Sequence, residues 1–81
     1  MTASVRDRVQ HVVSSVLGIP RDRVHDDTSP DSVPTWDSMQ HLQLVLALEQ
    51  EFGVQFLVEE IEAMQRVGVI VALLEERVAN A

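Results

Sequence analysis

The chain has 81 residues, which is enough for one small domain but too few for a deep cleft with a complete catalytic apparatus. It contains no cysteine, which excludes disulfide scaffolds, cysteine–zinc sites and thiol nucleophiles. Thirteen acidic residues against six arginines, with no lysine, give a net charge of −7, which argues against nucleic acid and anionic membrane surfaces and favours basic partners.

The first predicted helix covers residues 5–17. Its apolar residues recur at the spacing of one helix face, at Val5, Val9, Val12, Val13, Val16 and Leu17. Gly18 and Pro20 follow and end the helix. Because valine is a mediocre helix former, packing against the rest of the domain must supply most of the stability of this helix.

Residues 18–37 form a long polar connection that holds all three prolines. A loop of this length in so small a domain is usually functional or wrapped onto the core. We expect it to be anchored by its only sizeable apolar residues, Ile19, Val24, Val33 and Trp36. The segment His25-Asp26-Asp27 could suggest a metal site, but it is more typical of a solvated loop with Asx-type turns, and we predict no metal.

The second predicted helix begins at Ser38 and ends at Phe52. Asp37 is its predicted N-cap, and Gln40 three residues later completes a capping-box pattern. Gly53 supplies the C-terminal stop.

This second helix carries two apolar stripes when it is rotated by about 100° per residue. The first stripe is expected to face the core and comprises His41, Leu44, Val45, Leu48 and Phe52. The second lies on a different arc and comprises Met39, Leu42 and Leu46, with Ser38 and Glu49 beside it. A surface helix needs only one apolar stripe, so the second indicates either burial on two sides or an exposed docking surface. The pattern alone does not choose between them.

Ser38 lies at a place that suits an anionic substituent. The first turn of a helix offers unpaired N–H groups and the positive end of the helix dipole, which would stabilise an attached phosphodiester. An Asp-Ser pair at a helix start is nevertheless usually just a cap. His41, one turn further on, is more typical of a partly buried structural histidine than of a catalytic group, and we predict no catalytic residue.

Two further helices are predicted, a short one over residues 58–64 and a last one over residues 66–78. The apolar residues of the last helix share one face, at Val67, Ile70, Val71, Leu74 and Val78. Its β-branched centre could be read as a strand, but the periodicity and the polar continuation favour a helix. Gly68 would permit the close approach of another helix. The predicted fold class is all-α, a small four-helix bundle with a long loop between helices 1 and 2 and a short third helix.

The stretch WDSMQHLQLVLALEQEFGVQF resembles the second helix of acyl carrier proteins, small acidic four-helix proteins whose motif serine carries 4′-phosphopantetheine. The resemblance extends over nearly the whole chain, because LGI at the end of helix one, the long loop, DSM, LALEQEFGV and the last helix follow in family order. It implies that residues 1–81 form a single domain of the acyl carrier type.

The resemblance also implies specific roles. Ser38 would be the attachment point, esterified through its Oγ by a phosphopantetheinyl transferase that uses coenzyme A. Asp37 would cap the helix and help present Ser38. Cargo would be held as a thioester on the terminal sulfur of the arm, and the chain itself would not be an enzyme. The partner-contacting positions would be the apolar residues Met39, Leu42 and Leu46 together with the acids Glu49, Glu51, Glu59 and Glu60.

The chain departs from the carriers of fatty-acid synthesis at several positions. Gln40, Gln43 and Gln50 stand where those carriers usually bear acids, and Trp36 replaces a small residue before Asp-Ser. The WDS form is more similar to stand-alone carriers of specialised pathways such as polyketide biosynthesis. The expected partners are the transferase, an acyl- or aminoacyl-loading enzyme, and downstream acyltransferases, ketosynthases or tailoring enzymes.

Two alternatives stay open at the level of the sequence. One is an aminoacyl or peptidyl carrier, including the D-alanyl carriers, which share the DSM and FGV elements. The other, from a different class, is an unmodified helical adaptor that binds through Met39, Leu42 and Leu46. The first ten residues lack the apolar segment of a signal peptide and the longest apolar run is short. We therefore expect a cytoplasmic monomer that does not insert into membranes.

Overall fold

The computed structural model describes residues 4–79, and in that range the chain forms four α-helices and no strand. The helices are α1 (Val5–Leu17), α2 (Ser38–Phe52), α3 (Val58–Ala63) and α4 (Val67–Ala79). The long loop between α1 and α2 contains one turn of 3-10 helix at Arg21–Arg23. The predicted all-α bundle with a short third helix is confirmed. The bounds of α1 and α2 are those predicted, and the ends of α3 and α4 differ by one residue.

Local sequence signals set the ends of the first two helices. The Ser4 Oγ caps α1 by accepting a hydrogen bond from the Asp7 N–H at 3.1 Å. Gly18 and Gly53 follow α1 and α2 in the left-handed conformation, with φ of 68° and 65°, which glycine adopts without steric cost. Their N–H groups donate to the carbonyls of Ser14 and Glu49 and satisfy the helix ends. Both predicted glycine stops are therefore correct.

The core is formed by side chains of α1, α2, α4 and the loop, and by Phe56 and Met64 on either side of α3. The buried apolar residues contributed by the helices and by the residue that ends α3 are Val9, Val12, Val13, Leu17, Leu44, Val45, Leu48, Met64, Val67, Ile70, Val71 and Leu74. Burial of these side chains explains why α1 and α4 are helical despite their many β-branched residues, since packing outweighs weak intrinsic propensity. None of the helices within residues 4–79 is long and apolar enough to span a bilayer.

The long loop is fastened to the core, as its apolar residues predict. Val24, Val33 and Trp36 are buried, and Ile19 is half-buried against them. The Thr35 hydroxyl adds a hydrogen bond to the Leu17 carbonyl at 2.9 Å, which ties the end of the loop to the end of α1. The loop therefore follows a fixed path up to the start of α2.

The acidic turn of this loop is held by neighbouring groups. Asp26 forms an ion pair with Arg6, and this hydrogen-bonded contact raises the pKa of the guanidinium. The Asp26 carbonyl accepts the Gly68 N–H at 2.8 Å, and a Cβ on Gly68 would lie only 3.1 Å from that oxygen. Gly68 therefore permits the close approach of the loop, and the expectation that it admits another helix is wrong. No cluster of three or more metal-ligating side chains occurs within the described part of the chain.

Candidate functional site

Ser38 is the first residue of the longest helix, and it is exposed. The preceding residue, Asp37, is extended, with φ −98° and ψ −174°, and its Oδ1 accepts the Gln40 N–H at 2.8 Å. Because the side chain of Asp37 satisfies one N–H of the first turn, the helix can begin abruptly at Ser38. The Ser38 hydroxyl is thus accessible to another protein and lies at the positive end of the α2 dipole.

The capping box at this helix start is only half formed. The Asp37 N–H donates to the Thr35 carbonyl at 3.1 Å, so it does not use the Gln40 side chain. The prediction of a reciprocal box is therefore wrong in its second bond, because the turn in the loop satisfies the same donor first. The N-cap role of Asp37 itself is present as predicted.

Trp36 and His41 form a contact that spans Ser38 in the sequence. The buried Trp36 ring donates its Nε1–H to the His41 Nδ1 at 3.0 Å. The two rings lie within 23° of parallel with centroids 6.1 Å apart, which fits an in-plane N–H···N hydrogen bond. The other nitrogen of His41, Nε2, lies 2.9 Å from the Ile61 carbonyl of α3. The half-buried His41 is thus a structural group, and the expectation of its core-side position is met.

An open groove of about 510 Å³ lies beside Ser38. Its lining combines apolar surface with amide, imidazole and carboxylate groups, from Pro30, Trp36, Asp37, Ser38, His41, Leu42 and Gln65. A slender chain that bears amide groups, esterified to the Ser38 Oγ through a phosphodiester, suits this setting because the helix N-terminus stabilises the anion and the groove offers both kinds of contact. The residues present therefore fit 4′-phosphopantetheine.

A larger depression, of about 710 Å³, lies within the long loop and does not include Ser38. Its walls include His25 and Asp27, two of the three residues, with Asp26, for which the sequence left a metal site as a weaker interpretation. The loop residues that line it are exposed turns with a buried Thr28 at their base. The structure places no predicted site residue in it.

The two apolar stripes of α2 have different environments. Leu44 and Leu48 of the first stripe are fully buried. Met39, Leu42 and Leu46 of the second stripe are 70%, 58% and 55% exposed. The structure thus decides between the alternatives that the sequence left open, because the second stripe is surface and not core. An apolar row of this kind on a small protein is a candidate contact surface.

Uncharged polar residues border this apolar row. A second shallow groove, of about 510 Å³, runs between α1 and α2 and is lined by Val16, Met39, Gln40, Gln43, Leu46, Ala47 and Gln50. None of these lining residues carries a charge. The three glutamines noted in the sequence therefore lie together along one side of the row.

Glu51 makes its contacts within the chain. Arg8 of α1 donates from Nε to the Glu51 Oε2 at 2.9 Å and from a terminal nitrogen to the Glu51 carbonyl at 2.7 Å. The same guanidinium lies 4.2 Å from the centre of the Phe52 ring. Arg8 therefore fastens the end of α2 to α1, since it satisfies a terminal carbonyl of α2 and pairs with the carboxylate at once.

Glu49 and Glu60 also serve the fold, whereas Glu59 is exposed. The Glu49 Oε2 accepts the Phe56 N–H at 2.9 Å, and the Glu60 Oε1 accepts the Leu57 N–H at 2.8 Å. Glu60 is in addition paired with Arg77 of α4. Three of the four acids expected to meet partners thus hold the α2–α3 connection and the neighbouring helices together.

The surface of α3 contains two residues that the sequence interpretation missed. Leu57 and Val58 are 59% and 69% exposed at the start of this helix. A helix of six residues is too short for its periodicity to show which side faces the core. Leu57, Ile61 and Met64 follow one another at steps of four and three residues, which is the spacing of one helix face, so the residue pattern gave no signal that Leu57 is exposed.

Comparison with known proteins agrees with this geometry. Residues 7–74 match the protein family described as "Phosphopantetheine attachment site". An acyl carrier protein of Akkermansia muciniphila is 30% identical over 73 residues, which cover 90% of this chain and 91% of that protein. Members of this family are carrier proteins whose attachment domain bears 4′-phosphopantetheine. The match over most of the chain, on an all-helical fold with an exposed serine at the start of α2, shows that the chain belongs to the acyl carrier protein family.

Proposed function

We propose that Ser38 bears the phosphopantetheine arm and that the chain carries an acyl unit as a thioester on the terminal sulfur of that arm. The observation that carries this proposal is the exposed Ser38 hydroxyl at the first position of α2, directly after the Asp37 cap. In this role the chain is a substrate of several enzymes and has no catalytic group of its own.

Attachment requires a simple exchange of bonds. The Ser38 Oγ attacks the phosphorus that bears the pantetheine of coenzyme A, the new Oγ–P bond forms, and the pyrophosphate bond to adenosine 3′,5′-bisphosphate breaks. The transferase takes up the hydroxyl proton. The contribution of this chain is to present the hydroxyl without backbone rearrangement and to stabilise the phosphodiester charge at the helix N-terminus.

We further propose that partner enzymes dock on α2 through Met39, Leu42 and Leu46. The support is the high exposure of all three side chains and their position on the helix that begins at Ser38. Of the acids, Glu59 is exposed without an intramolecular contact among the described residues. Glu49, Glu51 and Glu60 would contribute mainly by shaping this surface, since their carboxylates are engaged by neighbouring groups.

The uncharged rim of this surface favours partners of a specialised pathway. Gln40 and Gln43 present amides where a basic enzyme surface would need carboxylates. We therefore propose acyl transfer in polyketide or other specialised biosynthesis, with a loading enzyme, acyltransferases, ketosynthases or tailoring enzymes as partners and with the cytoplasm as the compartment.

The attachment is tested by intact mass. The unmodified chain, incubated with coenzyme A and a broad-specificity phosphopantetheinyl transferase, is expected to gain the mass of one phosphopantetheine. Ser38→Ala should abolish the gain, whereas Ser15→Ala, which alters an exposed serine on α1, should not. A wild-type chain that stays unmodified with several such transferases would contradict the proposal.

The identity of the cargo separates two kinds of carrier. An aminoacyl carrier is the second candidate, because the Asp37-Ser38-Met39 and Phe52-Gly53-Val54 elements are shared with it. The modified chain is to be offered malonyl-type acyl donors and, separately, amino acids with adenylating enzymes. Loading by the acyl donor would support an acyl carrier, and loading by an amino acid would support an aminoacyl carrier. The intact mass of the protein purified from its native host also tests the adaptor hypothesis, since an adaptor would carry no arm.

A further inference from the structure

His41 joins three separate parts of the molecule at the candidate attachment site. It belongs to the first turn of α2, where its N–H donates to the Asp37 carbonyl at 2.8 Å. Its ring accepts from Trp36 at the end of the long loop and contacts the Ile61 carbonyl at the C-terminal part of α3. The Trp36–His41 bond closes a short loop of the chain over residues 36–41, and Ser38 is one of the residues between its two ends.

The chemistry of these partners fixes the proton on the imidazole. An indole N–H can only donate, so the His41 Nδ1 must be the acceptor in the bond to Trp36. A carbonyl oxygen can only accept, so the His41 Nε2 must carry the hydrogen directed at Ile61. Both bonds exist together only in the neutral imidazole with Nε2 protonated. A second proton would bring two N–H groups face to face between Trp36 and His41.

We propose that His41 is a positioning residue that acts as a proton-sensitive clamp on the Ser38 site. In its neutral form it holds Trp36 against α2 and α3, and so fixes the segment from Trp36 to Ser38 and one wall of the adjoining groove. Protonation breaks the bond from Trp36 and releases this wall. The inference rests on the proposed function only for the identity of the arm that Ser38 bears.

Few ionisable side chains other than the imidazole of His41 line the groove beside the Trp36–His41 bond. Among the described residues that line the groove, the loop and α2 start contribute one other ionisable side chain, the carboxyl of Asp37. The α3 helix presents the Ile61 carbonyl, and the segment after α3 contributes the uncharged Gln65.

The first test uses the unmodified wild-type chain. Long-range nitrogen–proton NMR correlations report which ring nitrogen of a histidine carries the hydrogen. At neutral pH we expect His41 to show the Nε2-protonated neutral form. A ring protonated at Nδ1, or a doubly protonated ring, would overturn the proposal without the need for any variant.

The second test follows Trp36 directly, because it is the only tryptophan in the chain. Its fluorescence and its indole N–H resonance should change in a single transition as acid is added to the folded chain. His41→Gln should abolish this transition. The matched controls His11→Gln and His25→Gln, at the two exposed histidines, should retain it. Loss of the transition in a control, or its persistence in His41→Gln, would overturn the proposal.

The third test asks whether the clamp matters for modification of Ser38. With a broad-specificity transferase and coenzyme A near neutral pH, we expect His41→Gln to raise the KM for the carrier by about threefold to tenfold, the range expected for the loss of one hydrogen bond. His25→Gln should match the wild type. Equal constants for the two variants would overturn the positioning role. Failure of the wild type to accept the arm would instead refute the proposed function, because the first two tests need no arm.

Discussion

Asp37 and Ser38 have different environments at the start of α2. The carboxylate of Asp37 is engaged with a backbone N–H, so it is part of the helix as well as part of the motif. The hydroxyl of Ser38 is exposed beside it. A substitution at Asp37 can therefore act in two ways, by destabilising the helix start and, under the proposed function, by removing a negative charge that the transferase would recognise.

Asp37→Ala is expected to lower the free energy of unfolding by about 1 kcal/mol, because alanine cannot accept the Gln40 N–H. Asp37→Asn should lose little, since asparagine is an equally good N-cap without the charge. Urea denaturation followed by circular dichroism measures both values. If the asparagine variant is as unstable as the alanine variant, the cap is not the stabilising feature.

The α2 helix combines a core face and an exposed apolar face within fifteen residues. The buried face includes Leu44 and Leu48, and the exposed face includes Leu42 and Leu46. Since both faces contain leucines, substitutions of leucine on each face test which face is core.

Leu42→Glu and Leu46→Glu should each change the free energy of unfolding by no more than about 0.5 kcal/mol, as is usual for surface positions. Leu48→Ala should cost about 2–5 kcal/mol, because it leaves a cavity in the core. The two surface variants should also reduce the rate of modification by the transferase while the circular dichroism spectrum is unchanged. If they unfold the domain, the contact-surface assignment is wrong.

The sequence predicted the elements well because their signals are local. Periodic valines, the Asp37 cap and the glycine stops each act within a few residues, so the bounds of α1 and α2 could be placed correctly. The contacts of Arg8 with the end of α2 and of Gly68 with the loop join residues about forty positions apart. No single-sequence pattern encodes such a pairing, and this is why the internal role of Glu51 could not be predicted.

The same limit applies to the candidate site. Ser38 and Asp37 could be named from the motif, and the two stripes of α2 could be separated by periodicity. Whether the second stripe is buried as well depends on where α1 and α4 pack, so only the assembled structure shows that Leu46 is exposed. The bond between Trp36 and His41 depends on ring orientation, which residue spacing does not report.

At the scale of the whole molecule, the chain has a net charge of −7, but uncharged glutamines border the exposed apolar row of Met39, Leu42 and Leu46. The α2 helix has no arginine or lysine, and its acids, Glu49 and Glu51, are engaged by the Phe56 N–H and by Arg8. The global charge can still attract a basic enzyme from a distance, but salt screens that attraction. The close contacts of the docked state would then be mainly apolar and amide contacts.

This distribution of charge predicts that the rate at which a transferase modifies the chain depends only weakly on salt concentration. Between about 0.1 M and 1 M salt the Debye length falls from about 10 Å to about 3 Å, so interactions between exposed charges are largely lost. We expect kcat/KM of a broad-specificity transferase for the wild-type chain to fall by less than about threefold over this range. The double variant Gln40→Glu with Gln43→Glu, which places two carboxylates beside Met39, should react faster in low salt and lose about tenfold or more in high salt. The control Gln55→Glu with Ala72→Glu adds the same two charges at exposed positions outside α2 and should keep the weak salt dependence of the wild type. An equally steep salt dependence for the wild type and the double variant would contradict this prediction, because it would show that the transferase recognises the acidic residues of the wild-type chain.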